Sequence, residues 1–204
     1  DKLPQALSYA QNIDNDYYSS QAFINIANAY NSLKDQDAAY DLLKKAQKIS
    51  NNNASRSQGF SDIAIASTNL QDEDKTYDIL KQVLSHAQNI SDGSGYRSKI
   101  LSSIATASAS LQDQGKAYEL LGQVCINIDN ISYNVDHSQA FINILTNFAS
   151  IHGQDKAYNL LQQVLSHAQN KNISKILSII ATSSAILQDK GKAYNILQET
   201  FLKA

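Results

Sequence analysis

A five-residue phrase returns along the chain as AYDLL from Ala39, TYDIL from Thr76, AYELL from Ala117, AYNLL from Ala157 and AYNIL from Ala193. Its Tyr stands at positions 40, 77, 118, 158 and 194, giving steps of 37, 41, 40 and 36 residues. A period of that size belongs to stacked helical repeats. Each repeat of such an array contacts mainly its neighbours, so the sequence predicts one elongated repeat domain over residues 1–204.

Aligned on the Tyr, every unit divides into two amphipathic stretches joined by a short polar turn. The first helices are predicted over Ser20 to Leu33, Ser57 to Leu70, Arg97 to Leu111, Ser138 to Ile151 and Ser174 to Leu187. The second are predicted over Asp37 to Ile49, Asp74 to Asn89, Lys116 to Asn127, Asp155 to Asn170 and Lys192 to Leu202. In the opening unit Phe23, Ile26, Ala27 and Tyr30 share one helix face, and Ala39, Leu43 and Ala46 share one on the next helix. The same grid recurs in the four later units. Helices approach closely only where a side chain is short. Ala27, Ala64, Ala105 and Ala181, facing Ala39, Ala117, Ala157 and Ala193, are therefore the expected contact points of the hairpins.

Four of the five hairpin turns carry Leu-x-Asp, at Leu33/Asp35, Leu70/Asp72, Leu111/Asp113 and Leu187/Asp189, whereas the fourth has Gly153. Asp just before a helix accepts from unpaired amides and suits the positive end of the dipole, so these acids are expected to be caps. Turn formers fill the linkers between repeats: Asn51–Asn53, Ser91–Gly95 and Asn127–Asp136. Pro4 to Ile13 (PQALSYAQNI) mirrors Gln82 to Ile90 (QVLSHAQNI), which predicts a lone second helix at the start. The repeats are then about 19–50, 57–90, 97–131, 137–170 and 172–204, after a half repeat at 1–16. Asp1 opens a chain without Met, and no polar helix follows Phe201 and Leu202, so the sequence is expected to be a fragment of a longer array.

The spacing of an aromatic or Leu, Ile-Ala, Tyr or a small residue, Ala, Leu, and Ala or Val across each hairpin resembles the tetratricopeptide repeat, over nearly the whole chain. The pattern departs from that family in a period longer than 34, the absence of Trp, Ala where the family favours Gly, and no Pro closing each unit. The resemblance implies an all-α, right-handed alpha-solenoid of about five helix-turn-helix repeats plus a leading half repeat. It also implies a concave groove lined by the first helices. Carried over residue by residue, that lining is Gln21, Ile24, Asn28 and Asn31, then Gln58, Ser61, Ile65 and Thr68, then Lys99, Ser102, Thr106 and Ala109. It continues through Gln139, Ile142, Thr146 and Ala149 to Lys175, Ser178, Thr182 and Ala185. Family members that clamp C-terminal carboxylates use Lys, Arg and Asn together. Only Asn28 with scattered Lys99 and Lys175 matches, which argues against that ligand.

Composition narrows the partner classes. A net charge of −2 offers no basic face to nucleic acid and no polybasic patch to a membrane. Charged residues are 18% of the chain, below the roughly 25% usual in soluble domains, so amides and hydroxyls carry the polar surface. The most apolar stretch, Ile173 to Leu187, is interrupted by Ser and Lys and reads as a buried repeat helix. Cys125 has no partner for an intrachain disulfide and reads as a small packing residue.

No catalytic, cofactor or metal constellation emerges. His86 and His167 occupy one place in two copies of QVLSHAQN, His137 and His152 stand apart from them, and no helix carries His-x-x-x-His. Asp14–Asp16 and Asp72–Asp74 lack the Gly and terminal Glu of a calcium loop, and Gly93–Gly95 follows no predicted strand. Active sites need different groups converging once, whereas duplicated modules display the same groups repeatedly. The expectation is a non-enzymatic scaffold that binds a protein or peptide in a hydroxyl-rich groove. The alternative is a structural protein assembling end to end into an extracellular fibre or surface layer. Four Asn-x-Ser sequons, at Asn53, Asn89, Asn130 and Asn172, would be glycosylation sites if the chain is secreted. The sequence leaves the compartment open between cytoplasm and cell surface.

Overall fold

The hairpins form where the apolar grid requires two helices to cover each other, and the turn chemistry sets their ends. The computed structural model describes residues 2–51, 56–90, 96–128, 145–146, 148–150, 152–167 and 173–203, without the side chains of 56, 125, 126, 128, 167, 173–176, 179 and 203. The described residues are helical with intervening turns, and no strand occurs among them. They divide into two compact units, Asp1–Ala107 and Ser108–Ala204.

The first unit holds α1 (Leu3–Gln11), α2 (Asp16–Ser32), α3 (Gln36–Ser50), α4 (Arg56–Ser67), α5 (Glu73–Gln88) and α6 (Tyr96–Ala109), whose last two residues lie in the second unit. Within it α2 packs on α3 and α4 on α5 as hairpins, while α1 lies on α2, α3 on α4 and α2 on α4. This is a tandem of tetratricopeptide-like helix-turn-helix repeats preceded by a half repeat. The second unit holds α7 (Gln114–Ile128), a helical stretch among residues 145–152, α8 (Gln154–His167), α9 (Ile173–Ser184) and α10 (Lys190–Lys203). There α9 and α10 form a hairpin, and α7, α8 and α9 pack in succession.

Most of the small residues predicted at the hairpin contacts are buried. Ala27, Ala64, Ala105, Ala39, Ala117 and Ala157 are buried, whereas Ala181 and Ala193 are half-buried. Thr76 replaces the small Ala in its hairpin and stays buried because its hydroxyl lies 2.9 Å from the Ser67 carbonyl, a satisfied group in place of a methyl. Gly59 of α4 lies close against α3. A Cβ there would stand 2.3 Å from Ser50 Oγ and 2.9 Å from Ser50 Cβ, which leaves room only for glycine. Ser50 in turn shares a 2.7 Å hydrogen bond with Ser20, so three helices meet through small polar residues.

First helices end earlier than their apolar pattern. After Ser67 the amides of Thr68, Asn69 and Leu70 bond three residues back, to Ile65, Ala66 and Ser67, which tightens the last turn. Leu70, Leu111 and Leu187 leave their helices there and pack inward, while Leu33 is 69% exposed. The aspartates then cap as predicted: Asp35 accepts from Ala38 N–H, Asp72 from Lys75, Asp113 from Gly115 and Lys116, and Asp189 from Gly191 and Lys192. The Lys116 and Gly115 amides hold the Asp113 carboxyl below its ordinary range. Gly153 takes the capless fourth turn with φ +90, a conformation that favours glycine. The predicted helix over Ser138 to Ile151 lies mostly outside the described residues, as do His137, Gln139, Ile142, Asn53, Asn130 and Asn172. The side chains of Cys125, His167 and Lys175 are outside them too.

Candidate functional site

Hydrogen bonds tie successive repeats along two rows. On the second helices, Tyr40 donates to Asp78 of the next repeat and accepts from Lys44 at 3.3 Å. Burial raises the Tyr40 phenol above its ordinary pKa, with the Asp78 carboxylate as the next cause. Lys75 reaches back 2.5 Å to Asp37 while sitting 3.6 Å from its own cap Asp72, and the bond to Asp37 raises its pKa. Lys192 repeats this with Asp155 and Asp189. Gln36 and Gln154 accept from the backbone amides of Gln71 and Gln188, one repeat further on. These contacts fix repeat spacing.

Tyr118 packs edge-on against Phe148, with centroids 5.1 Å apart, and donates to the Lys156 carbonyl at 2.7 Å. Burial pushes its phenol up to about 12. The Tyr of the recurring phrase therefore bridges repeats at 40 and 118, while Tyr194 is 65% exposed. His86 lies flat on the buried ring of Phe60, and desolvation lowers its pKa, so it is a hairpin packing residue. Among the described residues no group of three His, Cys, Asp or Glu is placed to hold a metal. No helix among them is long and apolar enough to cross a membrane.

The other row runs over the first helices of the 1–107 unit. Gln21 of α2 donates to Asp62 of α4 at 2.5 Å, and Gln58 donates to the other oxygen of the same carboxylate at 2.7 Å. Lys99 of α6 donates to the Gln58 carbonyl. About two turns along, Asn69 donates to Asn28 at 3.0 Å. The bonds between helices each span 41 residues, which is a repeat step plus four residues from α2 to α4 and a single repeat step from α4 to α6.

The expected lining separates into three groups. Gln21, Asn28, Asn31, Gln58 and Ser102 are half-buried, and Ile65, Thr68, Lys99 and Thr106 are exposed; these share the row's face or its flank. Asn31 accepts from Gln36 at 2.6 Å, which turns it toward the hairpin turn. Ile24, Ser61, Ala109 and Ala149 are buried. In the second unit Thr146, Ser178, Thr182 and Ala185 are exposed. Sequence reading missed Asp62 and Asn69, the acceptor and donor that join the row. Their signal was a polar pair at one repeat period plus a helical turn. Of the sequons, Asn89 is exposed, and its amide donates to the Ser85 carbonyl at 3.1 Å as the helix-ending residue.

No protein-family model matches the sequence, and no curated protein matches it. Solved structures do. A putative kinesin light chain with nearly identical TPR-like repeats from Podosopora anserina is 16% identical, covering 90% of this chain and 93% of its own, with a TM-score of 0.41. BtubC (BKLC) from P. vanneervenii is 12% identical, covering 100% of this chain and 85% of its own, with a TM-score of 0.43.

Proposed function

We propose that this chain is a non-enzymatic protein-interaction scaffold that presents the first-helix face to a protein partner. The observation that carries the reading is the registered row on α2, α4 and α6, where side chains are held by one another and Ile65 remains 54% exposed. Ordering the surface before contact lowers the entropy cost of binding. The repeat fold supplies a surface and no reaction, so the assignment rests on this face. A photo-crosslinking amino acid placed at Ile65 is expected to capture a partner in extract, and one at exposed Asp41 on α3 is not. Equal labelling from both positions would count against the face.

A second reading, end-to-end assembly into an extracellular fibre or surface layer, draws on the near-identical modules and the 18% charged content. Electron microscopy at high concentration separates the two readings. Filaments that vanish in Phe201→Glu favour assembly, and dispersed particles exclude it.

A further inference from the structure

We infer that Tyr118, on the side where Gly122 leaves α7 bare, takes the ammonium of a lysine side chain from a protein partner. The site belongs to a second helix of the 108–204 unit, so it stands or falls independently of the first-helix face.

The recurring phrase supplies its own template. The residue four positions after each Tyr leans back over it, because side chains tilt toward the start of a helix. In the first repeat that residue is Lys44, whose Nζ stands 5.0 Å from the centroid of the Tyr40 ring and donates to the phenol oxygen at 3.3 Å. In the second repeat Lys81 does the same to Tyr77, at 5.3 Å and 3.3 Å. In the fourth, Gln162 donates its amide to the Tyr158 oxygen at 3.0 Å. The third repeat has Gly122 at this place. A Cβ built there meets nothing within 4 Å, so the space that three other side chains use is open beside Tyr118.

Tyr118 keeps the receiving half of the Lys44 pair. Its phenol spends its proton on the Lys156 carbonyl, as Tyr40 spends its own on Asp78, and in both cases the oxygen retains lone pairs to accept with. Among the described residues none donates to the Tyr118 oxygen. The ring adds a negative face for a cation. Lys156 does not use this place: it stands 6.0 Å from the Tyr118 centroid, the same distance at which Lys75 accompanies Lys44 over Tyr40, so the two cation positions coexist.

Charge selects an ammonium over a neutral donor. The hydrogen bond to Tyr40 is the first cause that raises the Lys44 pKa, ahead of the charges of Asp78 and Asp41, so the place over the phenol itself favours a charged amine. Glu119 stands beside Tyr118 where Asp41 stands beside Tyr40, and Asn159 replaces Asp78. Lys44 and Lys81 show that one ammonium, with three rotatable donors, meets ring and oxygen together.

The test uses capped seven-residue peptides with randomised neutral flanks and a central Lys, Gln or norleucine. Each pool is selected on the immobilised full chain, and winners are mapped by NMR on isotope-labelled tyrosines, the Tyr118 ring signals being those lost in Tyr118→Phe. The Lys pool is expected to yield winners that shift the Tyr118 ring. These should weaken about fivefold or more on Gly122→Lys, which gives the third repeat its own amine, and should still bind Gly122→Ala. Both variants enter open space and are checked for native helix content. Gln or norleucine winners that shift Tyr118 as strongly as Lys winners would overturn the ammonium class. Lys winners that leave Tyr118 unmoved, or that bind Gly122→Lys undiminished, would overturn the placement. No enrichment from the Lys pool would sink the proposal, and the scaffold reading of the first-helix face would stand unaffected.

Discussion

Tyr118 joins two parts of the second unit through a single phenol, and alkaline titration isolates it. Its hydroxyl donates to the Lys156 carbonyl at 2.7 Å, so ionisation would set an anion against an acceptor in a half-buried place. Burial therefore lifts the phenol to about 12 in the folded chain, against about 10 when unfolded. The folded state keeps a proton that the unfolded state has lost, so stability is complete below pH ~10 and falls as pH rises toward ~12. Two units at ~1.4 kcal/mol each would give about 2.7 kcal/mol for a fully buried group. Solvent screening of a partly exposed phenol reduces this to about 1–1.5 kcal/mol. Tyr118→Phe retains the edge contact with Phe148, loses about 0.5–1.5 kcal/mol of hydrogen bond near neutral pH, and carries no titration. Urea unfolding of both proteins from pH 8 to 11.5 should therefore show the wild-type advantage shrinking with pH, with lysine ionisation common to both. Absorbance at 295 nm follows the 11 tyrosines, and the wild-type minus Tyr118→Phe difference reports one phenol. A difference curve centred near 10, or a stability gap constant across the range, would refute the reasoning.

Gly59→Ala should lower Tm, since overpacking costs about 1–3 kcal/mol against a helix-propensity gain near 1; Gly122→Ala, whose Cβ meets nothing within 4 Å, should raise it. An unchanged Tm for Gly59→Ala would mean that Ser50 yields. Removing the cap with Asp72→Ala should cost about 1 kcal/mol in chemical denaturation, and Asp72→Asn most of a unit less. Neutralising Lys75 or Asp37 should barely move Tm, and the small effect should disappear in 1 M salt, because Asp37 is 88% exposed. The Asp113 cap should strengthen above the ordinary carboxylate range and fade as pH falls through its depressed folded pKa, read as an NMR titration of its side chain.

Much of the fold was legible because it is local. Ala27 and Ala39 must be small wherever two helices touch, and Asp35, Asp72, Asp113 and Asp189 cap because a helix start leaves amides unpaired. The proposed face was legible in outline only. The resemblance to the tetratricopeptide repeat set Ile24, Ser61, Ala109 and Ala149 on it, and these four are buried. Asp62 went unnoticed because its neighbours in sequence say nothing about Gln21, 41 residues earlier.

By itself, the sequence determined the helical period, the two-helix unit, the capped turns and the small residues of each hairpin. Those follow from backbone hydrogen bonding and from apolar spacing within about 40 residues. Tertiary structure alone decided which polar residues meet across repeats. Packing of α2, α4 and α6 brings Gln21, Asp62, Gln58 and Lys99 into one row.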